Sequence, residues 1–261
     1  MKQQNWNAKD YAKHSKGQEV WARELIAKLD LKGDENILDL GCGDGKVTAL
    51  LASMTYGSVV GVDKSKTMID FATNSHSDIE FRVMDARRLS FESRFDLVFS
   101  NAVLHWIDDH EAVLQGIKKA LCPNGKIVLQ FGGEGTAKEI LEVMDQFISK
   151  RYIEYFRDFR FPYNFPHSDE YRVLLQSVGF EDIDAKLIPK DMIHDDIEAF
   201  KGWIRTTWFP YIDCVPQSMR EAFIDEFVEA YLEFRPLDEE SRVHVDMVRL
   251  EVRGSSQSVM V

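Results

Sequence analysis

Ten residues, Ile37–Lys46 (ILDLGCGDGK), constrain the fold more than any other stretch of the chain. An apolar strand, Ile37–Leu40, carries Asp39 and runs into glycines at alternate positions, Gly41, Gly43 and Gly45. A helix-compatible stretch, Lys46–Ser53, follows at once. Glycine accepts φ > 0 and lets backbone approach a ligand with no Cβ between them. Strand, glycine turn and helix N-terminus in this order form the nucleotide-binding corner of a doubly wound α/β sheet. A dinucleotide fingerprint, GxGxxG, would require glycine at position 46, which here is Lys46. The spacing is GxGxG, with an acidic residue two places before the first glycine.

The chain alternates beyond this corner. Ser58–Val62 reads as a short strand ending in Asp63, whose carboxylate at the strand tip suits hydrogen bonds from a ribose diol. The same aspartate can cap the helix expected over Lys64–Thr73. A third strand, Ile79–Val83, leads to Met84-Asp85-Ala86. There Asp85 can accept from the exocyclic amine of adenine, and Met84 offers an apolar surface either to the ring or to the core. The fourth strand, Phe95–Phe99, runs into Ser100-Asn101-Ala102-Val103-Leu104-His105-Trp106. A helix over Asp108–Leu121 begins with two acids, as its dipole favours, and Pro123-Asn124-Gly125 turns the chain into a fifth strand, Lys126–Phe131. Strands alternating with helices predict a parallel sheet with right-handed crossovers.

The second half departs from simple alternation. Apolar spacing predicts helices over Thr136–Phe159, Ser168–Val178, Asp195–Arg205 and Pro216–Phe234, with strands at Ile183–Ile188 and Val243–Val252 and a disordered tail, GSSQSVMV. The stretches 136–160 and 195–235 are extra to the alternating core and follow the carboxyl ends of strands, where a lid over the site, a packing layer or a dimer interface are all consistent. At the start, Glu19–Leu31 reads as an amphipathic helix through Trp21, Leu25 and Leu29. The polar segment before it, with Trp6, Tyr11, His14, Ser15 and Gln18, is either a frayed terminus or a strap that folds over a cofactor.

Bulk properties narrow the partners. The 261 residues suffice for one large core, 1–261 forming a single domain, and 44% hydrophobic residues fit a globular chain. The net charge of −12 disfavours binding to a phosphate backbone, so no nucleic-acid partner is expected. No apolar run approaches the ~20 residues of a membrane span, and MKQQNWNAKD is no signal peptide. Three scattered cysteines, Cys42, Cys122 and Cys214, suit a reducing cytoplasm rather than a disulfide framework or zinc site.

Asp39 to Gly45, Asp63, Asp85-Ala86 and the segment after strand four, taken in order, resemble the class I S-adenosylmethionine (SAM) methyltransferases over essentially the whole chain. The resemblance implies a doubly wound, seven-stranded, mostly parallel Rossmann-like sheet with a helical lid, SAM as cofactor and S-adenosylhomocysteine as its product. It implies cofactor contacts from Asp39, Gly41, Cys42, Gly43, Asp63, Lys64, Met84, Asp85, Ala86 and Asn101. SNAVLHW (100–106) and FKGWIRTTWFPYID (200–213) are similar to the trans-aconitate methyltransferases, although His105 before the tryptophan departs from their pattern. The order Tyr11, Ser15, Gln18 resembles the juvenile hormone acid methyltransferases, in which the glutamine matching Gln18 and the tryptophan matching Trp106 are active-site residues. Both groups methylate a small-molecule carboxylate.

An ionised carboxylate needs no general base to attack a sulfonium methyl; it needs positioning and exclusion of water. Gln18, Trp106 and His105 are the candidate catalytic residues. His105 would serve as base if the acceptor were a phenol or amine, and is otherwise an orienting group. Arg205 is either a partner for a substrate carboxylate or a solvated surface residue. His105 and His110 beside Asp108 and Asp109 lack the spacing of a metal site, so no metal is expected. An amino-methylating DNA enzyme would show [DNS]PP[YFW] where this chain has Asn101-Ala102-Val103. A non-catalytic SAM-binding protein is the other alternative, and monomer and homodimer are both compatible with the lid helices.

Overall fold

The computed structural model describes residues 16–257. Seven strands form one sheet in the order β3-β2-β1-β4-β5-β7-β6. The strands are β1 (Ile37–Leu40), β2 (Val59–Asp63), β3 (Glu80–Val83), β4 (Phe95–Asn101), β5 (Leu121–Gly132), β6 (Phe180–His194) and β7 (Val243–Ser256). The first five pair in parallel, and β7 lies antiparallel between β5 and β6. The doubly wound, mostly parallel sheet expected from the alternation is the one observed. Among the described residues the α-helices are α1 (Lys16–Ile26), α2 (Lys46–Ala52), α3 (Lys66–Ser75), α4 (His110–Ala120), α5 (Lys138–Arg151), α6 (Ser168–Val178), α7 (Ile197–Thr207), α8 (Phe209–Ile212) and α9 (Arg220–Phe234).

Strands buried on both faces carry near-continuous apolar runs, and the central strands do. Ile37, Val59, Leu97, Phe99 and Val128 face α1 and α2. Leu38, Leu40, Val60, Val62, Val98, Ile127, Leu129 and Phe131 face the side of α4 and α6, where Val113, Ile117, Tyr171 and Leu175 meet them. A third core has no strand of the parallel set in it. It joins Trp21 of α1, the inner faces of α5, α7, α8 and α9, and Val243, Val245 and Met247 of β7. Trp203, Tyr211, Phe200, Phe223, Phe227 and Tyr231 are all fully buried there. The expected extra helices thus share one core of their own, attached where β5 and β6 end.

Five local readings change. The helix expected over Thr136–Phe159 spans Lys138–Arg151, with only a short turn, Ile153–Tyr155, beyond it. β6 continues through Pro189 to His194, pairing with β7 throughout; an edge strand tolerates a residue that cannot donate to the ladder. Gly254, Ser255 and Ser256 are strand rather than disordered tail, because β5 and β6 pair with β7 from both sides there. Pro123-Asn124-Gly125 sits inside β5 as an irregularity: Phe95 pairs with Leu121, the next pair is Leu97 with Lys126, and Asn124 has φ 63°. The helix expected over Glu19–Leu31 spans Lys16–Ile26, and Leu29 and Leu31 pack beyond its end.

Candidate active site

The glycine corner sits where β1 meets α2. Gly41 and Cys42 both donate their amides to Val62 O, at 2.7 and 3.0 Å, which lashes the turn to the end of β2. Gly41 has φ 78°, and a Cβ there would lie 2.2 Å from Cγ2 of Val103, so the turn and the segment after β4 touch across it. Gly43 differs. Its φ is 53°, its amide donates to Asp63 Oδ2 at 3.2 Å, and a Cβ added to it would meet no atom within 4 Å. The open side of the corner is therefore at Gly43.

Carboxylates gather beneath this opening. Asp39 is buried and accepts from Thr48 Oγ1 at 2.7 Å. Burial pushes its carboxyl up to about 7, with Asp63 and Asp44 adding repulsion against the Thr48 hydrogen bond. Burial also raises Asp63, against the opposing amides of Ser65 and Gly43. Asp44 pairs with Lys46 at 3.1 Å. Cys42 is buried, and burial followed by these carboxylates holds its thiol well above the ordinary range, so it is an inert side chain. Three carboxylates, Asp39, Asp44 and Asp63, thus lie around a corner whose open side is at Gly43.

Around the corner stand the other residues singled out from the sequence. Met84 donates its amide to Asp63 O at 2.9 Å, joining the ends of β2 and β3. Asp85 caps the short turn Ala86–Arg88, and the Arg87 guanidinium holds its carboxyl well below the usual range, to about 2. Lys64 is exposed, next to Asp63, and Ala86 is buried. Asn101 ends β4, and Ala102 adopts φ 59° while donating to Gln130 O at 2.7 Å. Such left-handed backbone on a residue other than glycine is strained and clusters at functional sites. Gln18 lies in the first turns of α1, and its side chain is outside the described residues, as are Trp6, Tyr11, His14 and Ser15.

His105 and Trp106 form a single helical turn after β4 and meet the helical layer. Trp106 stacks on Phe209 (centroids 5.4 Å apart, planes at 12°) and meets Tyr163 edge-on at 4.7 Å. His105 is buried, and its Nδ1 accepts the Gly132 amide at 3.3 Å. Burial, then the charge of Arg249 and His110, depresses its pKa far below the ordinary value. It is a neutral imidazole with the proton on Nε2, fixed in orientation. His110 donates Nε2–H to Leu104 O at 2.9 Å. Among the described residues no group of three or more acids, histidines or cysteines could hold a metal. Arg205 is half-buried and hydrogen-bonds Glu221, through Nη2 at 2.9 Å.

The sequence reading passed over Tyr163, Phe165 and Arg249. The first two lie in an aromatic loop and stack on each other at 5.6 Å beside His105. Only the Pro- and Phe-rich composition of that loop hinted at them. Arg249 occupies an inward position of β7 and is buried, an outcome that alternation would reserve for an aliphatic residue.

Comparison with known proteins agrees with this layout. Residues 38–129 match the family model described as a methyltransferase domain. The chain is 30% identical over 193 residues to an uncharacterized methyltransferase of Schizosaccharomyces pombe, covering 69% of this chain and 72% of that one. It is 28% identical to the juvenile hormone acid O-methyltransferase of Bombyx mori, over 78% of this chain and 76% of the relative. To the trans-aconitate 2-methyltransferase of Shigella flexneri it is 27% identical over 94% and 96%. In structure it resembles the YcgJ protein of Bacillus subtilis, with TM-score 0.63, 15% identity, and 92% and 99% of the two chains covered. The 30% identity over more than two thirds of both chains, with the family match over residues 38–129, shows that the chain belongs to the methyltransferases.

Proposed function

We propose that the chain transfers a methyl group from SAM to a carboxylate oxygen of a small molecule. The corner fits the cofactor on two counts: the space at Gly43 admits a ligand against the backbone, and Asp39, Asp44 and Asp63 complement a cation. Bound there, SAM supplies a methyl on a sulfonium, a carbon with an excellent leaving group. Gly41, Cys42 and Gly43 present backbone to it, and Asp63, oriented by the amides of Gly43 and Ser65, holds the ribose diol. Met84, Asp85 and Ala86 take the adenine, Lys64 flanks Asp63, and Asn101 faces the methionine end with Asp39 behind the turn. Helices α5 and α7–α9 act as a lid, 136–160 and 195–235, that keeps water from the reacting groups within one domain, and Trp106 with Gln18 shapes the acceptor side.

The observation that favours a carboxylate over a phenol or amine is His105. Its Nδ1 is occupied by the Gly132 amide and its proton sits on Nε2, so it orients an acceptor rather than removing a proton from one. A carboxylate, already ionised at neutral pH, needs no such removal. The relatives named for trans-aconitate and juvenile hormone acid support the same choice. The test is the pH dependence of kcat with an acid acceptor. It should be level between about pH 6 and 9, where a base-dependent reaction rises with the base's titration; a tenfold rise over that range refutes the carboxylate reading.

A further inference from the structure

A recess away from the glycine corner lies on the side of the sheet covered by α4 and α6. It is a cavity of about 340 Å³ between the first turns of these two helices, flanked by Asn164 and Pro166 of the aromatic loop. None of the residues assigned above to SAM or to the acceptor lines it.

Charge is one-sided there. Asp108, Asp109, Glu111 and Glu170 all line the cavity, and no lysine or arginine does. Helix starts attract acids, which accounts for part of the set. Asp109 caps α4 by accepting from the Ala112 amide at 3.0 Å, and Arg87 reaches Asp108 at 3.3 Å. Glu111 accepts from the neutral amide of Gln115 at 3.0 Å, and among the described residues no cation pairs with it or with Glu170. Burial lowers the pKa of His110 on the same wall, so its imidazole adds no charge at neutral pH.

Tyr171 supplies an independent observation. It lines the same cavity and is only 2% exposed, with its ring edge-on to His110 and Phe131 at 5.4 and 5.1 Å. Its hydroxyl is enclosed and has no hydrogen-bond partner. Buried hydroxyls in native structures are bonded in the large majority of cases, so an unpaired one beside a cavity marks a missing partner. A ligand that suits both the hydroxyl and the acids carries positive charge and several N–H donors. Among the described residues no three acids, histidines or cysteines could hold a metal ion, whereas the volume is at the lower end of the range for small-molecule sites.

We propose that this cavity binds a small organic ammonium, with Glu111 and Glu170 matching its charge and the Tyr171 hydroxyl accepting one N–H. The assignment is independent of which acceptor is methylated. Two lining residues are tied to the active-site turn: the Asn164 amide donates to His105 O at 2.8 Å, and His110 donates to Leu104 O at 2.9 Å. A bound ammonium therefore braces the segment that carries His105 and Trp106.

The test is calorimetric titration of the full chain with 1,4-diaminobutane at about 0.15 M salt, with 1,4-butanediol as the uncharged comparison. The native chain should bind the diamine saturably and the diol not at all. Glu170→Gln, at the exposed rim, should weaken the diamine at least tenfold, while Glu229→Gln, an exposed acid of α9, should leave it within twofold. Tyr171→Phe should weaken it at least fivefold, yet leave the melting temperature of the free chain unchanged or higher, because the hydroxyl it removes has no partner there. A lower melting temperature, or a variant that does not fold, overturns the role of that hydroxyl, and Glu170→Gln then decides the site alone. SAM affinity should stay within threefold in saturating diamine. Competition with SAM would put the diamine in the acidic corner and overturn the assignment. Equal weakening by Glu170→Gln and Glu229→Gln would also overturn it, as general attraction to a chain of net charge −12, and so would the absence of saturable binding.

Discussion

Two glycines of the corner, two residues apart, should fail in different ways when given a methyl group. At Gly41 an alanine Cβ would lie 2.2 and 2.6 Å from the two Cγ atoms of Val103, and φ is 78°. Left-handed backbone costs an L-residue about 1–2 kcal/mol, and overpacking a tight contact about 1–3 kcal/mol more. Gly41→Ala should thus lose ~2–5 kcal/mol of unfolding free energy. Pairing it with Val103→Ala should recover the overpacking share and leave the backbone share. At Gly43 an added Cβ meets nothing within 4 Å, so only the backbone share, about 1–2 kcal/mol, is lost. That empty volume is where the cofactor is proposed to lie, and a clash of about 1.4–2.8 kcal/mol there weakens SAM binding ~10- to 100-fold. Urea titration gives the stabilities and calorimetry the affinities. Gly43→Ala binding SAM like the native chain, or a double variant no more stable than Gly41→Ala alone, would refute this account of the corner.

Other predictions follow from the carboxyls, from a histidine and from the lid. Asp39, with its carboxyl raised to about 7, is partly protonated at neutrality; a bound cation favours the ionised form, so SAM affinity should strengthen as pH rises through about 7. Asp39→Asn should remove that dependence in calorimetric titrations, and a native affinity unchanged across this range would contradict the electrostatic reading. His244, on β7, sits between Asp191 of β6 (2.6 Å) and Asp238 (2.9 Å). Hydrogen bonding, first to Asp238 and then to Asp191, raises its pKa. Its contribution to stability is therefore complete below the unfolded-state value near 6.5 and is lost as pH rises through the raised one. His244→Gln should flatten that fall in melting temperature, and an identical fall in both proteins would remove His244 as its cause. Trp203→Ala, deep in the third core, should cost about 3–5 kcal/mol in urea titration. Trp106→Ala, on the acceptor side, should lower turnover more than SAM affinity; equal effects would place Trp106 with the cofactor instead.

How much of this was legible in the sequence depended on how local each signal was. β1 at Ile37–Leu40 and α6 at Ser168–Val178 begin and end where the sequence reading put them, because glycines and a polar cap mark their ends within a few residues. Asp63, Asp85 and Asn101 fall at strand ends for the same reason: strand length and the following turn locate them. Where pairing partners are far away in sequence the reading failed. Pro189 looked like the end of a strand because nothing nearby shows that β6 lies at the edge of the sheet. Gly254-Ser255-Ser256 looked like a tail because the backbones that pair with it lie more than seventy residues earlier. Arg249 could not be found from alternation at all, since period-2 spacing gives its face but not the neighbours that Trp21 and Gly132 bring to it.

Of the two roles the sequence left open for His105, the orienting one suits its environment, since an amide donor at Nδ1 and burial keep the imidazole neutral. Chemistry at this turn is thereby left to positioning, which holds reacting atoms in line and can account for several kcal/mol of barrier.

The most direct test of the central claim is to incubate the full chain with methyl-labelled SAM and pooled carboxylic acids, phenols or amines, and to ask whether the labelled product is hydrolysed by mild alkali. Alkali-labile label in the acid pool alone is the predicted result, because only a methyl ester behaves so. Alkali-stable label in the phenol or amine pool, with none in the acids, would contradict a carboxylate acceptor and require a base that the geometry around His105 does not provide.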